Sequence, residues 1–293
     1  MQNDILQVKF ENRVDPKSNF DIVKLEELYQ RKMMQHDIED FHKVDFFILL
    51  FITEGKGKHT IDFTDYSIEK GTILTIRKHQ IQKFSRSSSI KGFILMFMEE
   101  FVVSHLNELE ALKSLQLFNE LLSNPKIGLS ETAFSDFISL IKHIEYEYFH
   151  SKDEFSLGII RSTMHILITY LFRIKSKNEQ VLIEKKYLPQ FTAFQALVEE
   201  NCFKTKKVKD YAHKLGISTR TLNTIVNSIV NQSAKTLIDE IVITQIKRLL
   251  INSNLSVKEI AFTAGFDEPS NLFRFFKKYT QVSPEAFRKG HFV

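Results

Sequence analysis

The spacing of apolar positions changes character twice along the chain. Between about residues 41 and 98, β-branched and aromatic residues come in short runs: FFILLFI at 46–52, KHTIDF at 58–63, ILTIR at 73–77 and GFILMFM at 92–98. Glu54-Gly55-Lys56-Gly57 separates the first two, and Gly71 and Gly92 punctuate the later ones. Runs of this length bounded by glycine and charged turns predict a small antiparallel sheet or barrel. From about 101 to 180 the spacing lengthens to three and four residues. Phe134, Phe137, Ile138, Ile141, Ile144 and Tyr148 share one face of a helix over 134–149. The segment LGIIRSTMHILITYLFRI at 157–174 is apolar on most of its surface, so it needs burial on more than one side, inside the fold or at a subunit interface. The polar stretch 175–186 reads as a linker.

The third zone holds an internal repeat. VKDYAHKLGIS (208–218) and VKEIAFTAGFD (257–267) share Val-Lys-acid, an apolar residue, Ala, three residues, Gly and an apolar residue, at an offset of 49. Ala212 and Ala261 fit where a second helix crosses closely. Gly216 and Gly265 suit the left-handed backbone that ends a helix. Ile217 and Phe266 are placed to plug the turn into the core. A second helix follows each time. The first is expected from Ser218, an N-cap residue type, to Val230, with Leu222 and Ile225 inward. The other begins near Pro269, with Leu272, Phe275 and Phe276 inward. Each pair reads as a helix-turn-helix. Residues 234–251 predict a long connecting helix, and QVSPEAFRK (281–289) a closing turn and short helix. Two reading helices held rigidly would enter adjacent major grooves about 34 Å apart.

Charge supports this placement. The net charge is +4 overall, but residues 185–293 carry 17 Lys and Arg against 9 Asp and Glu. Such asymmetry points to a nucleic-acid surface in the C-terminal part. Near the start of the first reading helix the outward positions are Thr219, Arg220, Asn223 and Thr224. In the second they are Ser270, Asn271 and Arg274. Arg pairs with guanine and Asn with adenine through bidentate edges. Lys277 and Lys278 suit phosphates, which position without specifying sequence.

Residues 188–290 resemble the DNA-binding domain of the AraC/XylS family. The stretch SVKEIAFTAGFDEPSNLFRFFKKYTQVSPEAFRK carries its Ile-Ala, Gly-Phe, Phe before Lys-Lys, and a final Ser-Pro with an aromatic and Arg. FHKVDFFILLFITEGKGKHTIDF (41–63) and KGFILMFMEEF (91–101) are similar to strands of that family's cupin-type sensor. The chain departs from the pattern at Gln281, where the family has Gly, at Val226-Asn227, where it has Phe-Lys, and at Ile241, where it has Arg. These departures make the first helix-turn-helix the weaker expected reader.

The fold expected is α+β. Residues 1–100 form a cupin-like small β-barrel acting as sensor, 101–184 a helical dimerisation and linker region, and 185–293 an all-α domain with two helix-turn-helix units. The resemblance implies double-stranded DNA, a small-molecule effector, a second copy of the chain and RNA polymerase as partners. His42, Lys43, Phe47 and Arg77 are candidates to line an effector pocket, together with the phenylalanines of the β-rich zone. Alternation sends only every second strand residue inward, so not all of them can do so. His42, His59 and His79 are widely spaced, with no His-x-His pair, so no metal or other cofactor is expected and the chain reads as no enzyme. The single Cys202 allows no intrachain disulfide. MQNDILQVKFENRVD has no signal-peptide core, and the longest uninterrupted apolar run is 46–52. These features give a cytoplasmic reading without a membrane partner. Two competing classes remain: a cupin enzyme with an appended helical bundle, and a protein-interaction module with a degenerate repeat.

Overall fold

The computed structural model describes residues 5–12, 14–16, 18–30, 37–85, 89–104, 106, 111, 114, 117–118, 124–151, 153–178 and 185–291. The chain divides into two compact bodies: the described residues of one lie within Leu6–Val181, and those of the other are Ile5 and residues within Leu182–Val293.

Among the described residues the N-terminal body has ten strands: β1 (Leu6–Val8), β2 (Phe20–Lys24), β3 (His42–Val44), β4 (Phe47–Glu54), β5 (Lys56–Ile61), β6 (Thr64–Glu69), β7 (Thr72–Ile76), β8 (Ile81–Phe84), β9 (Lys91–Phe97) and β10 (Lys126–Gly128). They form two five-stranded sheets, ordered β1-β3-β8-β5-β6 and β10-β7-β4-β9-β2. All pairings are antiparallel except β1 with β3. Helix α1 (Leu25–Gln30) follows β2, and α2 (Glu99–Val103), α3 (Glu131–Tyr146) and α4 (Ser156–Asn178) follow β9.

Strand β4 is buried on both faces, so its residues sort by parity into two cores. Ile48, Leu50 and Ile52 join Val44, Ile61, Leu74, Phe84 and Ile94 between the sheets. Phe47, Leu49 and Phe51 join Phe93, Phe97, Phe137, Ile141, Met164 and Leu167 between the second sheet and the helices. The predicted helix over 134–149 is α3, N-capped by Ser130, and the chain continues from it into a π-helical turn, Glu147–Ser151. The Tyr148 hydroxyl in that turn lies 2.9 Å from Asp21 Oδ1 and 3.0 Å from Asn12 Oδ1, tying the helix to the N-terminal segment. The β-structure is wider than the 41–98 window: β1 and β2 precede it, and β10 comes from within the stretch expected to be helical.

The C-terminal body is all helical: α5 (Leu188–Asn201), α6 (Val208–Lys214), α7 (Thr219–Val230), α8 (Ala234–Asn252), α9 (Val257–Thr263), α10 (Pro269–Thr280) and α11 (Pro284–His291). Helix α8 is the axle. Its 19 residues span about 28 Å. It is buried nearly all round, through Leu237, Ile238, Ile241, Val242, Ile246 and Leu250 among others. Ile241 is therefore a core residue, and so is Val226 on α7. The closing helix is fastened to the end of the axle: the Arg288 guanidinium donates to the Leu250 and Leu255 carbonyls at 2.8 and 2.7 Å.

Candidate nucleic-acid interface

The pairs α6–α7 and α9–α10 are joined by the same turn. Ile217 N–H donates to the Ala212 carbonyl and Phe266 N–H to the Ala261 carbonyl, both at 3.0 Å. These are the six-to-one bonds of a Schellman ending, and they need the left-handed backbone that Gly216 (φ +65°) and Gly265 (φ +70°) supply. Ala212 and Ala261 are buried. Ser218 caps α7 by accepting from Thr221 N–H at 3.0 Å. In the second unit the cap lies one helix earlier, where Ser256 and Glu259 make a reciprocal capping box at α9. Ile217 and Phe266 are only half-buried. Phe266 packs at a tilt on Phe275, itself half-buried, while Leu272 and Phe276 fill the core.

Both reading helices are amphipathic, and their outward faces carry most of the predicted contacts. Thr219, Arg220 and Thr224 are exposed on α7, with Thr224 Oγ1 donating back to the Arg220 carbonyl. Ser270, Arg274, Lys277 and Lys278 are exposed on α10. Asn271 is half-buried there, and its Oδ1 accepts from Arg274 Nη2 at 2.6 Å, which orients the guanidinium. Asn223 on α7 is half-buried. Its Nδ2 donates to the Thr219 carbonyl at 2.9 Å and its Oδ1 accepts from Ala234 N–H at 3.0 Å. The amide thus joins α7 to the first turn of α8.

The four effector-pocket candidates are not brought together. His42 faces the space between the sheets, and its Nδ1 donates to the Asp40 carbonyl at 3.0 Å. Its ring stacks on Phe84. Lys43, the next residue of β3, falls on the opposite face of the strand. Phe47 faces the helices and packs on Phe97 and Phe118. Arg77 lies just past the end of β7. The parity of β4 and β9 likewise carries Phe51 and Phe93 to the helix side. Phe84 also packs against His59, which the sequence weighed only as a metal ligand. His59 is fully buried on β5, with Nε2 donating to Gln82 Oε1 at 3.1 Å. Its Nδ1 has no partner. Burial first, then the nearby His42, pull its pKa down to about 3, so the ring is neutral. The signal was available: in KHTIDF, His59 shares a strand face with the core residue Ile61.

On the helix side, a cavity of about 260 Å³ is lined by Ile22, Lys24, Glu27, Phe93, Glu145, Phe149 and His150. The Lys24–Glu145 ion pair at 2.9 Å stands on its wall and holds the Lys24 pKa above its usual value. Among the described residues no three His, Cys, Asp or Glu side chains cluster as metal ligands would. One described helix, Ser156–Lys175 within α4, has the length and composition of a membrane span. One face of it is packed into the N-terminal core through Ile160, Met164, Leu167 and Leu171.

Residues 25–145 match the model of an AraC-like ligand binding domain and residues 211–290 that of a helix-turn-helix domain. The chain is 26% identical over 245 residues to the Msm operon regulatory protein of Streptococcus mutans, covering 84% of each. It is 21% identical over 260 residues to the transcriptional activator RhaS of Citrobacter koseri, covering 85% of this chain and 87% of that one. Fatty-acid-bound ToxT from Vibrio cholerae aligns over 92% of this chain and 94% of its own, at 17% identity and a TM-score of 0.41. The DNA-binding domain of AdpA in complex with a target DNA aligns over 34% of this chain and 90% of its own, at 26% identity and a TM-score of 0.32. With a ligand-binding model and a helix-turn-helix model matched in this order, and relatives that regulate transcription along most of its length, the chain belongs to the AraC/XylS family of DNA-binding transcription regulators.

Proposed function

We propose that this regulator reads its operator with α10 as the principal head and α7 as the auxiliary one. The observation that carries the reading is the repeated turn, which presents a polar, exposed helix face each time. Arg274 and Arg220 take guanine edges, Asn271 an adenine edge, and Thr219, Thr224 and Ser270 the flanking positions. Lys277 and Lys278 sit on phosphates. Residues 1–100 act as sensor, 101–184 as dimerisation region and 185–293 as the DNA-binding domain. Support for a dimer comes from where large apolar side chains stay exposed: Tyr146, Phe149, Phe155, Leu157, Ile159, Ile166 and Tyr170 all fall on or beside α4 and the π-helical turn. Of these, Ile159, Ile166 and Tyr170 share one face of α4, and exposed apolar surface of that kind is what an interaction site uses. A small effector bound in the sensor shifts the arrangement of the two copies, and it does so only by preferring one arrangement. The protein acts in the cytoplasm, works without enzymatic turnover, and where it activates it meets RNA polymerase.

The test is enrichment of random duplexes by the full chain at two salt concentrations. A consensus must emerge, affinity must fall steeply with salt, and Arg274→Ala must relax one position of the consensus. Absence of enrichment at low salt overturns the reading.

A further inference from the structure

The second reading helix is anchored at both ends to residues outside its own unit, at its entrance to the loop that precedes α6 and at its exit to the connecting helix α8. At its entrance, Lys206 Nζ donates to the Ala264 carbonyl at 2.6 Å and lies 3.3 Å from the Gly265 carbonyl. It also stands 4.4 Å from the centre of the Phe266 ring. Lys206 belongs to the loop between α5 and α6, 58 residues earlier in the chain. The carbonyls it meets end α9, where unpaired C=O groups and the helix dipole concentrate negative charge. The same loop lays the Phe203 carbonyl against Gly265, leaving no room for a β-carbon.

At the exit of α10 the Tyr279 hydroxyl donates to Asp239 Oδ2 at 2.9 Å. Asp239 Oδ1 accepts from Lys235 Nζ at 2.6 Å, and Lys235 reaches back to the Lys206 carbonyl at 3.4 Å. The carboxylate holds the Tyr279 hydroxyl protonated, with its pKa raised to about 12 chiefly by burial and by this bond. A single chain of contacts therefore runs from the turn before α10, through Lys206, Lys235 and Asp239, to the end of α10. A lysine at an open helix end contributes only tenths of a kcal/mol. This one is half-buried, and burial lowers its pKa, so its removal leaves the part-buried Ala264 carbonyl without this donor.

We propose that Lys206 is a positioning residue: it fixes the rotational phase of α10 relative to α7, and so the spacing between the two DNA segments the protein accepts. The proposal rests on the reading that both helices contact one duplex. Each added base pair rotates the second segment by roughly 34° about the helix axis, so heads held in fixed phase tolerate little insertion.

The experiment uses the full chain, the duplex it enriches, and the same duplex with two base pairs inserted between the contacted segments. Wild type should lose at least about tenfold on insertion. Lys206→Met, which keeps the stem and removes the ammonium, should bind the original site about threefold to tenfold more weakly and lose less than about threefold on insertion. Lys206→Arg should restore most of the insertion penalty. A Lys206→Met protein with wild-type circular dichroism and the wild-type penalty overturns the proposal. If the full chain binds no duplex, the DNA-reading assignment falls instead. Nitroxides at Asn227→Cys and Lys258→Cys, on a Cys202→Ala background, then decide the clasp without DNA. Lys206→Met should broaden their distance distribution, and an unchanged width overturns it.

Discussion

The two helix-turn-helix units share a turn, yet they differ in what surrounds it. Around Gly216 nothing comes within 4 Å of where a β-carbon would stand, whereas Gly265 is pressed against the Phe203 carbonyl. The first turn is free and the second is packed. The outward faces differ in the same sense. On α7 the Asn223 amide is used internally and one arginine remains. On α10 an arginine oriented by Asn271 is followed by two exposed lysines. The second unit is thus better fixed and better charged, which is what a principal reader needs.

The largest test of this contrast is an alanine at each glycine. Both positions need a left-handed backbone, which costs a residue with a β-carbon about 1–2 kcal/mol. At Gly265 the methyl group also overlaps backbone, and forced overlap in a packed site adds about 1–3 kcal/mol. Urea unfolding should show Gly265→Ala losing about 3–4 kcal/mol and Gly216→Ala only about 1–2 kcal/mol. Equal losses would mean that the Phe203 contact does not constrain the turn.

Arginine removal probes the reading faces. On the enriched duplex, Arg274→Ala should cost about 1–3 kcal/mol of binding free energy and flatten one consensus position. Arg220→Ala should cost about 1 kcal/mol or less and leave the consensus recognisable. A larger effect at Arg220 would reverse the ranking of the two heads. Neither change should alter the unfolding midpoint, since both side chains are exposed.

How much of this was legible in the sequence follows from where the information resides. The turns were legible because the spacing Ala-x-x-x-Gly-apolar is local: the helix crossing and the left-handed ending lie within six residues. The cap at Ser218 and the helix start at Pro269 were legible for the same reason. The faces of the sheet were not. FFILLFI is apolar at every position because β4 is buried on both sides, and a run without alternation does not say which parity faces which layer. That is why Phe47 could be named as a pocket candidate without knowing that it faces the helices. The three-residue strands β1 and β10 are too short to carry a period at all. The Lys206–Asp239–Tyr279 chain was invisible for a third reason: charged residues on helices are usually solvated, and these meet partners up to 58 residues away.

The asparagines give a smaller test, because the same residue type does different work in the two reading helices. Asn223→Ala removes an acceptor from the first turn of α8. It should cost about 1 kcal/mol of stability and little specific binding beyond that. Asn271→Ala removes the acceptor that orients Arg274. It should leave stability within about 0.5 kcal/mol and weaken binding severalfold. Paired melts and binding curves on both variants check this. A loss of consensus at Asn223→Ala without loss of stability would return that residue to the reading face.

The smallest contrast lies where each reading helix ends. Asn231 (φ 53°) and Gln281 (φ 64°) both occupy the left-handed position after the last turn. Each donates its N–H to a carbonyl four residues back, Asn227 and Lys277, at 2.9 Å. Asn tolerates this conformation because its short polar side chain satisfies the local backbone, while Gln does not share that advantage. Glycine at either site keeps the N–H bond and removes the β-carbon clash, against a small entropic cost in the unfolded chain. Gln281→Gly should therefore stabilise by about 0.5–1 kcal/mol, offset in part by loss of the Gln281 Nε2 bond to the Lys278 carbonyl at 3.2 Å. Asn231→Gly should change stability by no more than a few tenths of a kcal/mol. Thermal melts of the two variants resolve a difference of that size when the chain unfolds reversibly. A destabilising Gln281→Gly would mean that the Gln side chain, and not backbone conformation alone, holds the end of α10 in place.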